Sequence, residues 1–491
     1  MKKMNLLAMS LVSAAALSFT SCSSNDDLGG AGSQSQADGV YMTLKISGAT
    51  SHGTRTGVTT PNTKEEDGKP EESTISNGML YIYDGSTCVF RKIITSEMFK
   101  TAPSQTVVGE TKPIKVAVTG QIKTNTEYSV YFLANKTDVT DPLNGSFTSA
   151  NGGADFAADN SFVMFNQHDA SRNAEASKVT FKDENKSEAN PAKAGEIKLD
   201  RVVARIDNPT FDATTVTPAA DTKTSINANV IESIALEGYA VSNLNNTSYV
   251  KQNWTVENTN WTLNVLTTAT PKYYLDKKTY GTKHEPAGLG NFGTDPWKYA
   301  FENTTTNVDD ATAVYFKVKA TLKEAAKAAS DFRDGTFYRY DGRLYTSIQA
   351  IYDDAATGAI SNPFTETNSI TPANVVAKIT GTDGKLTTDE EVLAQFRKDY
   401  MIEVYRQGVM YYRWAISDNV YKPFNPNEET NTYSVLRNSI YRLTVTKVNE
   451  IGKDVPNGPE PDDPSKDPNF YMNVKVSINP WVLNAQPIEL K

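Results

Sequence analysis

Apolar residues fall on every second position in short runs that recur along most of this chain, and the runs are bounded by Gly, Asn, Asp or Pro. A period of two sends alternate side chains to opposite faces, so such runs specify half-buried strands of antiparallel sheets. Val40, Met42, Leu44 and Ile46 alternate cleanly. Residues 79–83 run into Asp84-Gly85, a hairpin turn signal, and a strand over 89–94 follows. Further strands are expected at 114–118, 128–133, 197–206, 231–236, 314–320, 345–352, 409–416 and 440–448. Helix is expected in two short places. Residues 322–328 are good formers, and over 388–400 Thr388 is placed to cap with Glu391 three residues on. The expected fold class is all-β with few short helices.

At 491 residues the chain exceeds one ordinary domain, so two are expected. Lys and Arg total 49 against 58 Asp and Glu, a net charge of -9, which argues against a nucleic-acid partner. The three histidines, His52, His168 and His284, stand apart from one another and from cysteine, so no zinc site is expected. The sequence holds no Gly-rich phosphate loop, no Gly-x-Ser-x-Gly elbow and no Cys-x-x-Cys. Asp353-Asp354 and Glu390-Glu391 read as solvated pairs rather than catalytic dyads. No enzyme activity, cofactor or metal is expected.

The first residues carry an export signal. Lys2 and Lys3 precede an apolar run over 6–19, which ends in Thr20-Ser21-Cys22. A charged start, a short apolar stretch and small residues at the cut describe a secretory signal peptide. Cysteine directly after the small residues points to a lipoprotein, with Cys22 acylated on its thiol and its freed amine. The run holds several Ser and Thr and falls short of the ~20 strongly apolar residues needed to span a bilayer. With Cys22 lipidated, only Cys88 remains, so no disulfide forms within one chain. Cys88, in Thr87-Cys88-Val89-Phe90, is expected to be a small buried hydrophobe.

Residues 26–38 are rich in Gly, Ser, Ala and Asp and read as a flexible tether. Arg55 lies in a Gly/Ser/Thr-rich stretch with almost no bulky apolar residue, the kind of exposed loop where proteases cut. Cleavage between Arg55 and Thr56 would detach lipid, tether and first strand together; an ordinary solvated loop arginine fits the same pattern. Near the other end, 453–469 carries five prolines among acidic residues and reads as an extended hinge. Beyond it Val474, Val476 and Ile478 alternate, Asn479-Pro480-Trp481 is expected to interrupt, and Val482, Leu483, Ile488 and Leu490 continue to the end. Pro480 and Pro487 cannot donate to a ladder and belong at an edge or a break. Such a strand either completes its own sheet or fills a neighbour's groove, a heterologous contact that propagates a filament.

Several segments resemble a known family. Residues 471–481, Tyr-Met-Asn-Val-Lys-Val-Ser-Ile-Asn-Pro-Trp, are similar to the terminal signature of the major structural fimbrillins of Bacteroidota-type (type V) fimbriae, nearest the short-fimbria major subunits. Leu436-Arg437-Asn438-Ser439-Ile440-Tyr441 leading to Ile451-Gly452, then the Pro/Asp-rich tether, resembles the segment before it. Val409-Met410-Tyr411-Tyr412-Arg413-Trp414 resembles another family strand, and Arg201-Val202-Val203-Ala204-Arg205-Ile206 the passage between domains.

The resemblance implies two transthyretin-like β-sandwich domains. It implies a signal peptide over 1–21, a lipidated propeptide over 22–55 bearing the removable first strand, an N-terminal domain over 56–194 and a C-terminal domain over 195–491. The last includes the hinge at 453–469 and a donor strand at 470–491. It further implies a precursor held to the outer membrane by lipid and cut after Arg55 by an arginine-specific or trypsin-like protease. The trimmed protein would then polymerise with itself by strand exchange into a surface fimbria that serves adhesion and biofilm formation, alongside accessory tip and anchor subunits. A shaft subunit needs both a removable first strand and a donor tail. A tip lacks the tail, and an anchor keeps its lipid. A reading of another class is a surface lipoprotein that binds glycans through exposed Trp254, Trp261 and Trp297.

Overall fold

A computed structural model of the chain describes residues 39–48, 66–67, 69–101, 113–120, 122–150, 152–168, 174, 176–216, 230–257, 260–266, 292–306, 310–364, 370–417, 433–456 and 472–482, the last as backbone. The fold is all-β with few short helices, as the period-two pattern predicts. The chain runs first through β1 (Val40–Gly48), β2 (Glu66–Asp67), α1 (Pro70–Ser73), β3 (Gly78–Asp84), β4 (Thr87–Ile94), α2 (Ser96–Thr101), β5 (Ile114–Val118), β6 (Glu127–Ala134), β7 (Ser146–Thr148), β8 (Met164–Asn166), β9 (Ser177–Thr180) and β10 (Ala192–Arg201). Eight of these strands form the sheet of the first lobe, ordered β4-β3-β6-β8-β10-β1-β5 with β9 added to β6.

The second lobe takes β11 (Ala204–Asp207), β12 (Thr210–Phe211), β13 (Ile231–Ser242), β14 (Thr247–Tyr249), β15 (Asn253–Glu257), β16 (Asn260–Asn264), β17 (Trp297–Ala300), β18 (Asn303–Thr305) and β19 (Ala313–Leu322). An insert follows: α3 (Glu324–Ala328), β20 (Phe337–Tyr340), β21 (Arg343–Tyr345), α4 (Ile348–Ala356), α5 (Pro372–Lys378), α6 (Glu390–Tyr400) and β22 (Glu403–Tyr405). The lobe then closes with β23 (Val409–Ala415), β24 (Tyr433–Val435), β25 (Ser439–Val448) and β26 (Met472–Val482). Its main sheet is ordered β17-β11-β25-β26-β2, with β12 on β25, and β13-β19-β23 forms a second sheet. The insert has a core of its own, built from Tyr338, Ile348, Ile351, Val375, Leu393 and Phe396 among others.

Several expectations are corrected. The stretch 345–352 is not a strand: β21 ends at Tyr345 and α4 begins at Ile348. The Ser347 side chain accepts from Ala350 N at 3.2 Å, and Ile348 and Ile351, three apart on one helical face, are both buried in the insert core. In α6 the cap is Asp389, not Thr388, with its carboxylate accepting from Glu391 N at 2.9 Å. Residues 197–206 are two strands. β10 crosses the boundary expected at 194/195, and the first lobe's core includes Val202 and Val203, so the passage between lobes falls there. Cys88 is half-buried rather than fully buried, with Sγ 3.5 Å from Phe90 O. Pro480 does not interrupt the last strand, which runs on to Val482 with Pro480 opposite Ser439.

Candidate assembly site

The leading strand is an interior strand. β1 lies parallel to β10, with Met42 opposite Ala192 and Ile46 opposite Ile197, and antiparallel to β5, with Val40 opposite Val118 and Leu44 opposite Ile114. Both of its edges are therefore hydrogen-bonded. Its alternation decides which face goes inward: Val40 is 4% exposed, and Met42, Leu44 and Ile46 are fully buried in the first lobe's core. Tyr41, Thr43 and Lys45 take the other face and are half-buried. Thr43 Oγ1 donates to Ala192 O at 3.4 Å, and Lys45 Nζ lies 3.0 Å from Glu196 on β10. At about 1.5–3 kcal/mol per buried side chain, the four inward residues hold roughly 6–12 kcal/mol of burial. Removing β1 would leave a slot with two unpaired ladders facing each other, a template for any strand of matching period. This differs from the single open edge that an outermost strand would leave.

Cys22, Arg55 and Thr56 lie outside the described residues, so the lipidation and cleavage positions stand on the sequence alone. The next described strand is β2, whose Glu66 and Asp67 pair parallel with Trp481 and Val482 of β26. The chain is then pinned. Glu72 of α1 is 1% exposed and takes Arg205 Nη1 on both oxygens at 3.0 and 3.2 Å, Lys69 N at 2.8 Å and Tyr299 Oη at 3.3 Å. Arg201, wholly buried, donates from Nε to Glu72 O at 2.9 Å and from Nη2 to Ser73 Oγ at 3.0 Å. Burial pulls the Arg201 guanidinium down to about 9 against the pull of the Glu72 carboxylate, so it stays cationic at neutral pH. Burial, and after it Glu72, raises the Tyr299 phenol. Asn438 accepts from Arg201 N and donates to Asp200 at 2.7 Å, and Arg442 reaches Asp207 at 2.8 Å. A cut at Arg55 therefore sits between a strand held by backbone pairing and a segment locked into the junction of the two lobes. The sequence reading missed this network. The run Arg201-Val202-Val203-Ala204-Arg205 resembles the family's passage between domains, but pairing to Glu72 across about 130 positions leaves no local signal.

The tail strand sits in the second lobe. β26 pairs antiparallel with β25, from Val448 opposite Met472 to Ser439 opposite Pro480, and β2 covers only its far end. Val474, Val476, Ile478, Trp481 and Val482 lie within this strand, and Leu483, Ile488 and Leu490 lie outside the described residues. In the monomer the tail thus completes its own sheet, while β1 fills the slot in the first lobe. Of the three tryptophans expected to be exposed, the two with described side chains do not form an exposed platform. Trp297 is half-buried with Lys69 Nζ 3.5 Å from its ring centre, and Trp254 is half-buried with Nε1 donating to Gln252 at 3.1 Å. The Trp261 side chain lies outside the description. Among the described residues no cluster of His, Cys, Asp or Glu is arranged to hold a metal.

Residues 403–487 match the family described as major fimbrial subunit protein type IV, fimbrillin, C-terminal. The match runs from β22 through the tail strand and takes in the stretches 409–414, 436–441 and 471–481 on which the fimbrillin resemblance rests. No curated protein matches the chain. Among solved structures, a candidate cell adhesion protein from Parabacteroides distasonis is 12% identical, with a TM-score of 0.42 over 90% of this chain and 99% of that one. A fimbrilin (FimA) from Porphyromonas gingivalis is 15% identical, with a TM-score of 0.40 over 91% and 99%. The tip fimbrial protein Mfa3 from Porphyromonas gingivalis, with a C-terminal truncation, is 10% identical, with a TM-score of 0.36 over 90% and 100%. Likeness at this depth fixes neither fold nor role; the fold rests on the strands themselves.

Proposed function

We propose that this protein is a non-enzymatic shaft subunit of a surface fimbria. It is exported as a lipoprotein through Cys22, trimmed between Arg55 and Thr56, and polymerised by insertion of one subunit's tail strand into the slot that β1 vacates in the next. The observation that carries this reading is the placement of β1: four inward apolar residues between two paired neighbours, seven positions before Arg55 in the sequence. The fimbrillin match at 403–487 supports the fimbrial class, and the alternation at Val474, Val476 and Ile478 suits the same slot. The half-buried positions of Trp254 and Trp297 count against glycan binding on these rings.

The test is N-terminal sequencing of the surface-recovered protein, together with Arg55→Ala. A start at Thr56 in the wild type, and a lipid-bearing monomer without SDS-resistant ladders in the variant, is the expected result. Ladders of normal length from Arg55→Ala would overturn the processing site. Unchanged polymer from a chain lacking residues 486–491 would remove the tail as donor.

A further inference from the structure

The connection between β25 and β26 is far longer than their pairing requires. Val448 faces Met472 at the open end of the pair, so a turn of a few residues would join them. The chain spends the 23 residues 449–471 instead, and connections of that length in a compact domain usually serve a purpose. Its first part is not slack. Glu450, Ile451, Asp454 and Val455 are all buried. Tyr411 N donates to Lys453 O and Lys453 N to Tyr411 O, both at 2.8 Å, bridging this segment to β23. At Gly452 an added Cβ would meet Tyr411 O at 2.5 Å and the Tyr412 ring at 3.0 Å, so a side chain would push the segment off the strand.

The insert supplies the rest of the grip. Tyr405 Oη donates to Gly452 O at 2.8 Å. The Asp454 carboxylate accepts from Arg397 Nε on α6 and from Val404 N at 2.9 Å. Arg339 Nη2 lies 3.6 Å from Glu450 Oε1. Arg397 and Asp454 are 2% and 6% exposed, and a buried pair of this kind holds its geometry because either charge left alone in the interior is strongly unfavourable.

We infer that the insert between β19 and β23 is a clamp on the root of the tail tether, fixing where and in which direction the chain leaves the body for assembly. The inference rests on the donor role proposed above. With the clamp closed, the held segment reaches as far as Val455, and the 15 residues 457–471 of the Pro-rich stretch would carry the tail strand across. Fully extended they reach about 50 Å. With the clamp open, free length begins at Asn449, and the strand is offered from a longer, less directed tether. Arg397, Val404 and Tyr405 are positioning residues in this scheme. The hinge read from the sequence at 453–469 thus begins with residues that are held rather than free.

The test uses the full-length chain with Asp454→Asn, which keeps shape and removes charge, and Val375→Ala as a control of similar melting loss in the insert core away from the tether root. In the monomer, amide exchange at Tyr411 and Lys453 should quicken about tenfold in Asp454→Asn as the bridge opens locally, and stay at wild-type rates in Val375→Ala. After trimming, Asp454→Asn should polymerise about fivefold more slowly than Val375→Ala, because a looser tether lowers the effective concentration of its strand. Unchanged exchange in Asp454→Asn, or polymerisation equal to that of the control, would overturn the clamp. Trimmed wild-type protein that forms no filaments would instead overturn the donor reading, and with it the clamp's role in assembly, while the exchange result would still decide whether the root is held.

Discussion

The leading strand and the tail strand look alike in sequence, four-residue alternations of Val, Met, Leu and Ile, yet they occupy opposite situations. β1 is paired along both edges inside the first lobe's sheet. β26 is paired along one long edge, and β2 covers only two residues of the other. Losing β1 divides a sheet and empties a core, whereas losing β26 exposes one edge of β25. The strand whose loss costs most is followed in sequence by the Gly/Ser/Thr-rich stretch that holds Arg55, and the strand paired along one long edge is preceded by the Pro-rich stretch 453–469. The strand exchange proposed above would use that asymmetry, with the deep slot of β1 as acceptor and the one-edged β26 as donor.

The strongest way to break this comparison is to place a charge in the slot. Leu44→Asp should destabilise the first lobe by about 3–5 kcal/mol, since it deletes apolar burial and strands a carboxylate in the core. Calorimetry of the uncleaved chain reads it, and a melting point equal to wild type would mean β1 does not fill the slot. The junction comes next. Glu72→Gln removes the charge facing Arg205 and the buried Arg201, at a cost of about 3 kcal/mol, as when one partner of a buried pair is lost. The two lobes should then melt separately in calorimetry; a single unchanged transition would show that the lobes are coupled by something else. The smallest effect is at the rim of β1. Lys45 and Glu196 are 40% and 37% exposed, so Lys45→Ala should shift stability by no more than about 1 kcal/mol, less in high salt. A larger, salt-insensitive loss would show that the strand is held by its outer face as well as its inner one.

Much of the strand inventory was legible because period-two alternation reports directly on which face is buried. Residues 40–46, 79–83, 114–118, 128–133 and 231–236 all lie in strands, and the expected strand at 409–416 is β23, which ends one residue earlier at Ala415. The misread stretch, 345–352, fails for a physical reason. Ile348, Ile351 and Tyr352 have strand-forming side chains, but the insert core takes Ile348 and Ile351 from one helical face and Ser347 closes the first turn. Local propensity lost to packing there. The insert itself, with its own core and its grip on Asp454, had no sequence signature beyond the expected helices at 322–328 and 388–400.

What the sequence by itself determined was local and periodic: the strands, their turns and the alternating tail. These follow from neighbours two to four residues apart, where backbone geometry leaves a small menu. What only the tertiary structure decided was partnership across long separations. Glu72 meets Arg205, Arg397 meets Asp454, and β1 lies between two strands rather than on an edge. Pairings of this kind are selected by which buried charges and unpaired ladders find each other in the folded chain, and no window of sequence contains both halves of them.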